Sequence, residues 1–361
     1  MSAKTCNVAD VVAAYVRPEI RALTAYHIAK SDGLIKLDAN ESPFPMPLEV
    51  GQRLAEALAS NPFNRYPDGS AATVIAALRE AENVPPELDV IVGNGSDELL
   101  AIITATLARP GAVMLTPEPT FVMYRMNAIY SGMRHVGVPV KPDFTLDVDA
   151  MLEAIEREQP ALVFIASPNN PTGALYETAE IERIVRAAPG LVVVDEAYAP
   201  FAGQTLMPRV AEFPNLLVLR TLSKIGMAAL RLGYAVAAPA WITEFNKLRQ
   251  PYNLNSLTQV AAKALLAEEK VLAHQIATVV AERARLATRL AGLPGVHVFP
   301  AAANFVVVRV PDAREWFERL RAAGILVKNL HGSHPRLEHC LRITVGTPAE
   351  NDALLAALEG K

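Results

Sequence analysis

Cysteine is nearly absent: the 361 residues contain only Cys6 and Cys340. Two thiols cannot staple a chain of this length, which excludes a disulfide scaffold and leads us to expect a reducing, cytoplasmic setting. Nor is charge of one sign in excess. Thirty-four Lys and Arg stand against 38 Asp and Glu, a net charge of −4, so no basic footprint for nucleic acid is expected. No apolar run approaches the ~20 residues of a membrane span. Residues Met1 to Asn7 lead into no apolar stretch of the secretory kind, and no signal peptide is expected. Repeats at solenoid periods and low-complexity tracts are also missing. Val192-Val193-Val194-Asp195-Glu196 could serve as the Mg²⁺ strand of an ATPase, but the chain has no G-x-x-x-x-G-K-[ST]. His331, His334, His339 and Cys340 stand close together in a turn-rich stretch without a partner cluster elsewhere; they read as a solvated loop, and no metal is expected.

What remains is a hydrophobic content of 51% with 20% charged residues, enough for a large core and a chain long enough for two domains. From about residue 90 to 240 short apolar runs alternate with amphipathic stretches. Val90–Val92, Val113–Thr116, Ala161–Ala166, Leu191–Val194 and Leu216–Leu219 read as strands buried on both faces, with helices near 99–108, 149–158 and 180–188 between them. Such a pattern predicts an α/β fold with a mostly parallel central sheet flanked by helices. Before it lie a helix from Val8, stopped by Arg17-Pro18, and a short strand at 34–37 running into a three-proline loop. Helices at 48–59 and 71–82 follow, separated by the turn-rich segment Asn61–Gly69. After it a long helical stretch at 258–292 leads to strands near 296–300, 304–310 and 341–345, with a helix at 313–323, a smaller α/β unit of βαβ type. We therefore expect an arm over 1–33 that belongs with the small domain, a large domain over 34–257 and a small domain over 258–361.

The polar residues that interrupt this pattern fall at strand carboxyl ends, where open α/β sheets hold their ligands. Gly93-Asn94-Gly95-Ser96-Asp97 follows the first strand; it is no full dinucleotide fingerprint, but its amides can cup an anion at a helix N-terminus, with Ser96 as the expected N-cap. Phe121, Asn170, Asp195 and Tyr198 follow the next strands. The last strand ends in Thr221-Leu222-Ser223-Lys224, and Arg231 comes seven residues after the lysine. A lysine on rigid, partly desolvated backbone can form an imine, and an arginine fork can grip a phosphate. Together they point to pyridoxal 5'-phosphate (PLP). A carboxylate such as Asp195 would keep the cofactor's ring nitrogen protonated. Tyr198 and Asn170 are candidates to bond its phenolic oxygen, and Phe121 can lie against the ring.

Ser167-Pro168-Asn169-Asn170-Pro171-Thr172-Gly173, Asp195-Glu196-Ala197-Tyr198 and Ser223-Lys224…Arg231-Leu232-Gly233-Tyr234 resemble, in order and spacing, the fold-type I PLP-dependent aminotransferases, and the likeness spans roughly residues 34 to 350. Four further stretches are similar to the histidinol-phosphate branch of that family: Leu37–Pro43, Asn64–Asp68, Gly93–Glu98 and Cys340–Thr347. The resemblance implies transfer of an amino group between histidinol phosphate and 2-oxoglutarate, giving glutamate, in histidine biosynthesis. It implies that Lys224 holds PLP as an imine and moves the substrate proton. Asp195 would pair with the ring nitrogen, Tyr198 and Asn170 with the phenolic oxygen. Gly95, Ser96, Ser223 and Arg231 would hold the phosphate, joined by Tyr66 from a second subunit of a homodimer. Arg342 would clamp the substrate's acid group, with Tyr26, Asn40 and Lys328 nearby. The chain departs from the family pattern in having one residue fewer than usual between the lysine and the phosphate arginine. A lysine also stands at 328, where some relatives carry arginine. Aromatic amino acid aminotransferases and threonine-phosphate decarboxylase-like lyases share most of these motifs. A non-catalytic PLP-binding regulator would need an added DNA-binding domain, for which the residues before 30 offer no room.

Overall fold

A computed structural model describes residues 7–25 and 30–359. Cys6 and Tyr26 lie outside the described residues. Seven strands form the larger sheet: β2 (Asp89–Asn94), β3 (Val113–Glu118), β4 (Arg134–Pro139), β5 (Leu162–Ala166), β6 (Leu191–Asp195), β7 (Leu216–Thr221) and β8 (Leu232–Ala237). Their order is β2-β8-β7-β6-β5-β3-β4. All run the same way except β8, which is antiparallel to both β2 and β7. That reversal has a consequence for the site. The carboxyl ends of β2, β5, β6 and β7 share one edge of the sheet, and β8 begins at that edge, so Arg231, immediately before β8, returns to the edge that Lys224 occupies.

The apolar runs are continuous because both faces of this sheet are covered. Val163, Ile165, Val192, Val194, Leu216 and Val218 enter one core. The alternate residues Leu162, Phe164, Leu191, Val193, Leu217 and Leu219 enter the other. This is the two-residue period of a strand read on both of its faces. The one charged side chain within β7, Arg220, is buried but satisfied. Its guanidinium reaches Glu196 Oε2 at 2.8 Å and pairs with Glu82, and Tyr234 Oη donates to the other Glu82 oxygen. The network ties the end of β6 to β7 and β8 directly behind the candidate site.

The second sheet has five strands: β1 (Ile35–Leu37), β9 (His297–Phe299), β10 (Phe305–Arg309), β11 (Ile325–Asn329) and β12 (Cys340–Thr344), in the order β1-β11-β12-β10-β9. The chain therefore enters this sheet at β1, before it reaches the larger one. The arm helix Val8–Tyr15 has no buried residue, and Arg17 donates to Tyr130 O on the larger unit at 2.6 Å. The βαβ unit expected near the C-terminus is present, but split. β10 and β11, on either side of the helix Ala313–Ala322, are each antiparallel to β12, which lies between them.

Three local differences from the sequence reading have physical reasons. β11 was not among the expected strands; it is short and follows a helix after a single left-handed glycine, Gly324, with φ 80°. The helical stretch expected over 258–292 is two helices, Ser256–Leu266 and Glu269–Ala291. No breaker residue marks the joint; Glu268 is the N-cap of the second helix and accepts from Arg53 Nε at 3.0 Å, a contact that no local sequence pattern records. At the Gly-rich turn Gly95, not Ser96, is the N-cap, with φ 83°, and Ser96 opens the helix Ser96–Leu107.

Candidate active site

Eight of the residues singled out by sequence line one cavity of about 190 Å³ at the shared strand edge: Ser96, Phe121, Asn170, Asp195, Tyr198, Ser223, Lys224 and Arg231. Ser96, Phe121 and Asn170 follow β2, β3 and β5, Asp195 and Tyr198 come from the end of β6, Ser223 and Lys224 from the end of β7, and Arg231 stands immediately before β8.

One end of the cavity is built for an anion. Ser96 supplies the first turn of a 12-residue helix, whose leading amides have no partner within the helix. Thr221 Oγ1 and Ser223 Oγ stand 2.9 Å apart at the end of β7. Arg231 closes the group. A Cβ on Gly95 would lie 2.8 Å from Arg231 Nη2, and one on Gly233 would lie 2.3 Å from the Ser96 backbone nitrogen. Gly233 is thus required by close approach to the backbone of the turn, and Gly95 by its positive φ of 83°. The short spacing between Lys224 and Arg231 is absorbed by two 3-10 turns, Leu222–Lys224 and Ala228–Leu230, with Arg231 itself left-handed at φ 49°. Asp97 is 3.7 Å from the Arg231 guanidinium and occupies it loosely, with about half of each side chain exposed.

The other end holds the carboxylate. Asp195 is the last residue of β6 and is buried. Its Oδ1 accepts from the Ala197 backbone at 3.0 Å and its Oδ2 from Tyr124 Oη at 2.8 Å. Burial pushes its pKa up to about 6, and these two hydrogen bonds, with the more distant Lys224 charge, oppose the rise. Lys224 Nζ lies 5.8 Å from the centroid of the Tyr198 ring. Tyr198 Oη accepts from Asn40 Nδ2 at 2.9 Å, and Asn40 is buried in a left-handed turn, φ 56°. That turn is held by Asn304, whose amide donates to Asn40 O at 2.9 Å, and by Thr344, whose hydroxyl takes the Asn40 backbone N–H at 3.0 Å.

Arg342, on β12, stands beside the cavity. Its Nη1 donates to Asn170 Oδ1 at 2.5 Å and its Nη2 to Asp38 O at 2.6 Å. A guanidinium offers only donors, so Asn170 must present its oxygen to Arg342 and keeps its NH₂ for another partner. Lys328 faces Arg342 across the β11–β12 pairing and is half-buried. Tyr66 stands apart: 81% exposed, it stacks on Tyr252 at 4.6 Å and does not line the chain's own cavity.

The structure adds Tyr124 and Asn304 to the residues at or around the site, and gives Thr221 and Asp97, which the strand-end motifs contained without a role, a place there. Tyr124 lies in the first turn of the helix that Phe121 caps, a position that does not separate it from an ordinary core aromatic. Asn304 carried no signal either, since a lone asparagine in a strand-like run is ordinary. Among the described residues His331, Glu338 and His339 bring their ligand-type atoms within 4.8 Å of one another, away from the cavity, with two of the three exposed.

The residues present fit PLP. They offer a phosphate cup narrowed around two glycines, Gly95 and Gly233, a buried carboxylate with lone pairs to spare, a tyrosine hydroxyl and an amide NH₂. Among the residues lining the cavity, Lys224 carries the only primary amine.

This combination of fold and site is that of an aminotransferase, and residues 32–358 match the family described as aminotransferase class I and II. The chain belongs to that family. It is 57% identical over 344 residues to a protein from Chromobacterium violaceum named histidinol-phosphate aminotransferase, covering 95% of this chain and 97% of that one. The crystal structure of histidinol-phosphate aminotransferase from Sinorhizobium meliloti in complex with pyridoxal-5'-phosphate superposes with a TM-score of 0.85 at 28% identity, covering 95% and 96% of the two chains. The L-threonine-O-3-phosphate decarboxylase of Porphyromonas gingivalis has the same fold, with a TM-score of 0.78 at 22% identity over 91% of this chain and 98% of that one. No helix among the described residues is long and apolar enough to cross a membrane.

Proposed function

We propose that the chain is a PLP-dependent histidinol-phosphate aminotransferase. It moves the amino group of histidinol phosphate to 2-oxoglutarate, giving imidazole-acetol phosphate and glutamate, a step of histidine biosynthesis in the cytoplasm. The observation that carries this reading is the one cavity that joins a lysine, a buried carboxylate and an anion cup, in a chain so similar along its length to a protein of that name.

When bound, PLP supplies an electron sink for the charge left at the substrate's Cα. The chain supplies the rest. Ser96, Ser223 and Arg231, with the Gly95 turn, hold the phosphate and fix the ring's position. Asp195 keeps the ring nitrogen protonated. Tyr198 and the NH₂ of Asn170 donate to the phenolic oxygen, and Phe121 covers a ring face. Lys224 Nζ would hold the resting cofactor through its amine and, once freed by substrate, would take the proton from the substrate's Cα. Arg342 and Lys328 receive the substrate's phosphate, Asn40 stands against Tyr198, and Tyr26 is proposed as a further donor to the substrate.

A donor screen with 2-oxoglutarate as acceptor, following glutamate, tests this. Histidinol phosphate should be much preferred to histidine, histidinol and phenylalanine. Equal rates with phenylalanine would move the assignment to an aromatic aminotransferase, and CO₂ release from threonine phosphate would move it to a lyase.

The same reading makes the working unit a symmetric homodimer. Tyr66 is free of its own cavity and exposed, and Phe63 and the arm residues Val8 and Tyr15 are exposed with it, which suits a surface covered by a second copy. Tyr66 would then donate to the phosphate in the partner's site. Tyr66→Phe should weaken PLP retention roughly 10- to 100-fold, the worth of one hydrogen bond to a charged group. Mixed with Lys224→Ala, it should regain one normal site per heterodimer. A fully active monomer on sizing would contradict the shared site.

A further inference from the structure

We propose that Tyr124 is a positioning residue for the reaction, its hydroxyl holding the Asp195 carboxylate so that the remaining lone pairs face the cofactor's ring nitrogen. The proposal rests on the PLP reading above. Tyr124 lies in the helix Val122–Ser131 and is 0% exposed. Its ring is fixed by two aromatic neighbours. Phe164 of β5 stacks on it at 4.7 Å, 2° from parallel, and Phe121 meets it edge-on at 5.7 Å. The hydroxyl is thereby aimed at Asp195 Oδ2, 2.8 Å away, while the Ala197 N–H takes Oδ1. Two donors on different oxygens fix the plane of a carboxylate and leave each oxygen one further acceptor site.

The hydroxyl has a second effect on the same group. A carboxylate this deeply buried tends to take up a proton, and once protonated it no longer attracts a ring N–H⁺. The groups that face it from the surrounding elements are Asp97, which favours the proton, Lys224, which opposes it, and Tyr124 with Ala197, whose hydrogen bonds oppose it most. Tyr124 cannot reverse roles. Burial and the Asp195 charge hold its own pKa well above 10, so beside the carboxylate it only donates. Tyr198 is the remaining titratable neighbour of this pair, and it is engaged by Asn40.

The test compares PLP with its 1-deaza analogue, in which a C–H replaces the ring nitrogen, on protein stripped of cofactor. Dissociation constants of both are measured for the unsubstituted chain, Tyr124→Phe and Tyr124→His. Phenylalanine keeps both ring contacts and removes only the donor; histidine keeps a ring N–H. The unsubstituted chain should prefer PLP. Tyr124→Phe should lose roughly 10- to 100-fold of that preference, the worth of a hydrogen bond to a charged group, while its affinity for the analogue stays nearly constant. Tyr124→His should retain most of the preference, and it decides the matter if the phenylalanine variant does not fold. A preference unchanged in Tyr124→Phe, an equal weakening of both ligands, or loss of the preference in Tyr124→His overturns the proposal and leaves the PLP reading standing. If the unsubstituted chain itself shows no preference, the assignment of Asp195 to the ring nitrogen fails and the proposal fails with it.

Discussion

Lys224→Ala should stop turnover almost completely while still binding the cofactor, without a covalent bond. The cavity's anion cup and carboxylate do not involve the lysine, so PLP should still bind, now released by gel filtration or dialysis because no covalent bond holds it. Borohydride, which fixes the cofactor onto Lys224 in the unsubstituted protein, should fix nothing. Loss of a positioned proton-transfer group alone is worth about 10²–10⁴-fold in rate, and the lost anchoring adds to it. Among the residues lining the cavity no second primary amine is available to substitute. Glu41 and Asp97 also line it, but as carboxylates neither can form the imine. Added methylamine should therefore restore part of the rate in Lys224→Ala and none in a variant that lacks Asp195. Full activity of Lys224→Ala, or borohydride labelling elsewhere, would remove Lys224 from its role and with it the reading of the cavity.

How far the site could be read from sequence follows from what each residue depends on. Lys224, Asp195, Asn170 and Ser96 stand next to apolar runs whose length and β-branched content mark buried parallel strands, and ligands collect where such strands end. Local pattern was enough there. Arg231 was placed by its spacing, but its return to the same edge depends on β8 running backwards, which no local pattern records. Asn40 and Asn304 support Tyr198 across more than 100 residues of chain; that contact exists only once the small sheet has docked. Tyr124 was not singled out, because a stacked core ring and a ring whose hydroxyl holds a carboxylate have the same sequence signature. The break before Glu269 was not legible either, since no breaker residue precedes it. The fold's class was legible because alternation of buried strand and amphipathic helix is a local property repeated many times. The order of β10, β11 and β12 was not, because pairing order is set by which edges are free when they meet.

The second large effect concerns Arg342. Histidinol phosphate carries a phosphate monoester where an amino acid carries its α-carboxylate, so an enzyme specialised for it must spend its acid clamp on a dianion. Arg342 is nine-tenths buried, and both terminal nitrogens already hold protein acceptors, Asn170 Oδ1 and Asp38 O. The guanidinium plane is thus set before substrate arrives, and a phosphate must share or displace those acceptors. Losing one partner of a buried, hydrogen-bonded charge pair costs about 2–5 kcal/mol, or roughly 30- to several-thousand-fold in kcat/KM at about 1.4 kcal/mol per decade. Arg342→Ala should show a loss of that size with histidinol phosphate. Arg342 also orients Asn170, so a small part of the loss should appear with every donor. The phosphate term is isolated by comparing histidinol phosphate with histidinol in the same variant. The rate with histidinol, already low, should fall far less, and Arg342→Lys should lie between, because it keeps the charge but not the fork. Equal losses with the two donors would mean that Arg342 acts only through Asn170 and Asp38, and that the phosphate is held elsewhere, with Lys328 the first position to examine.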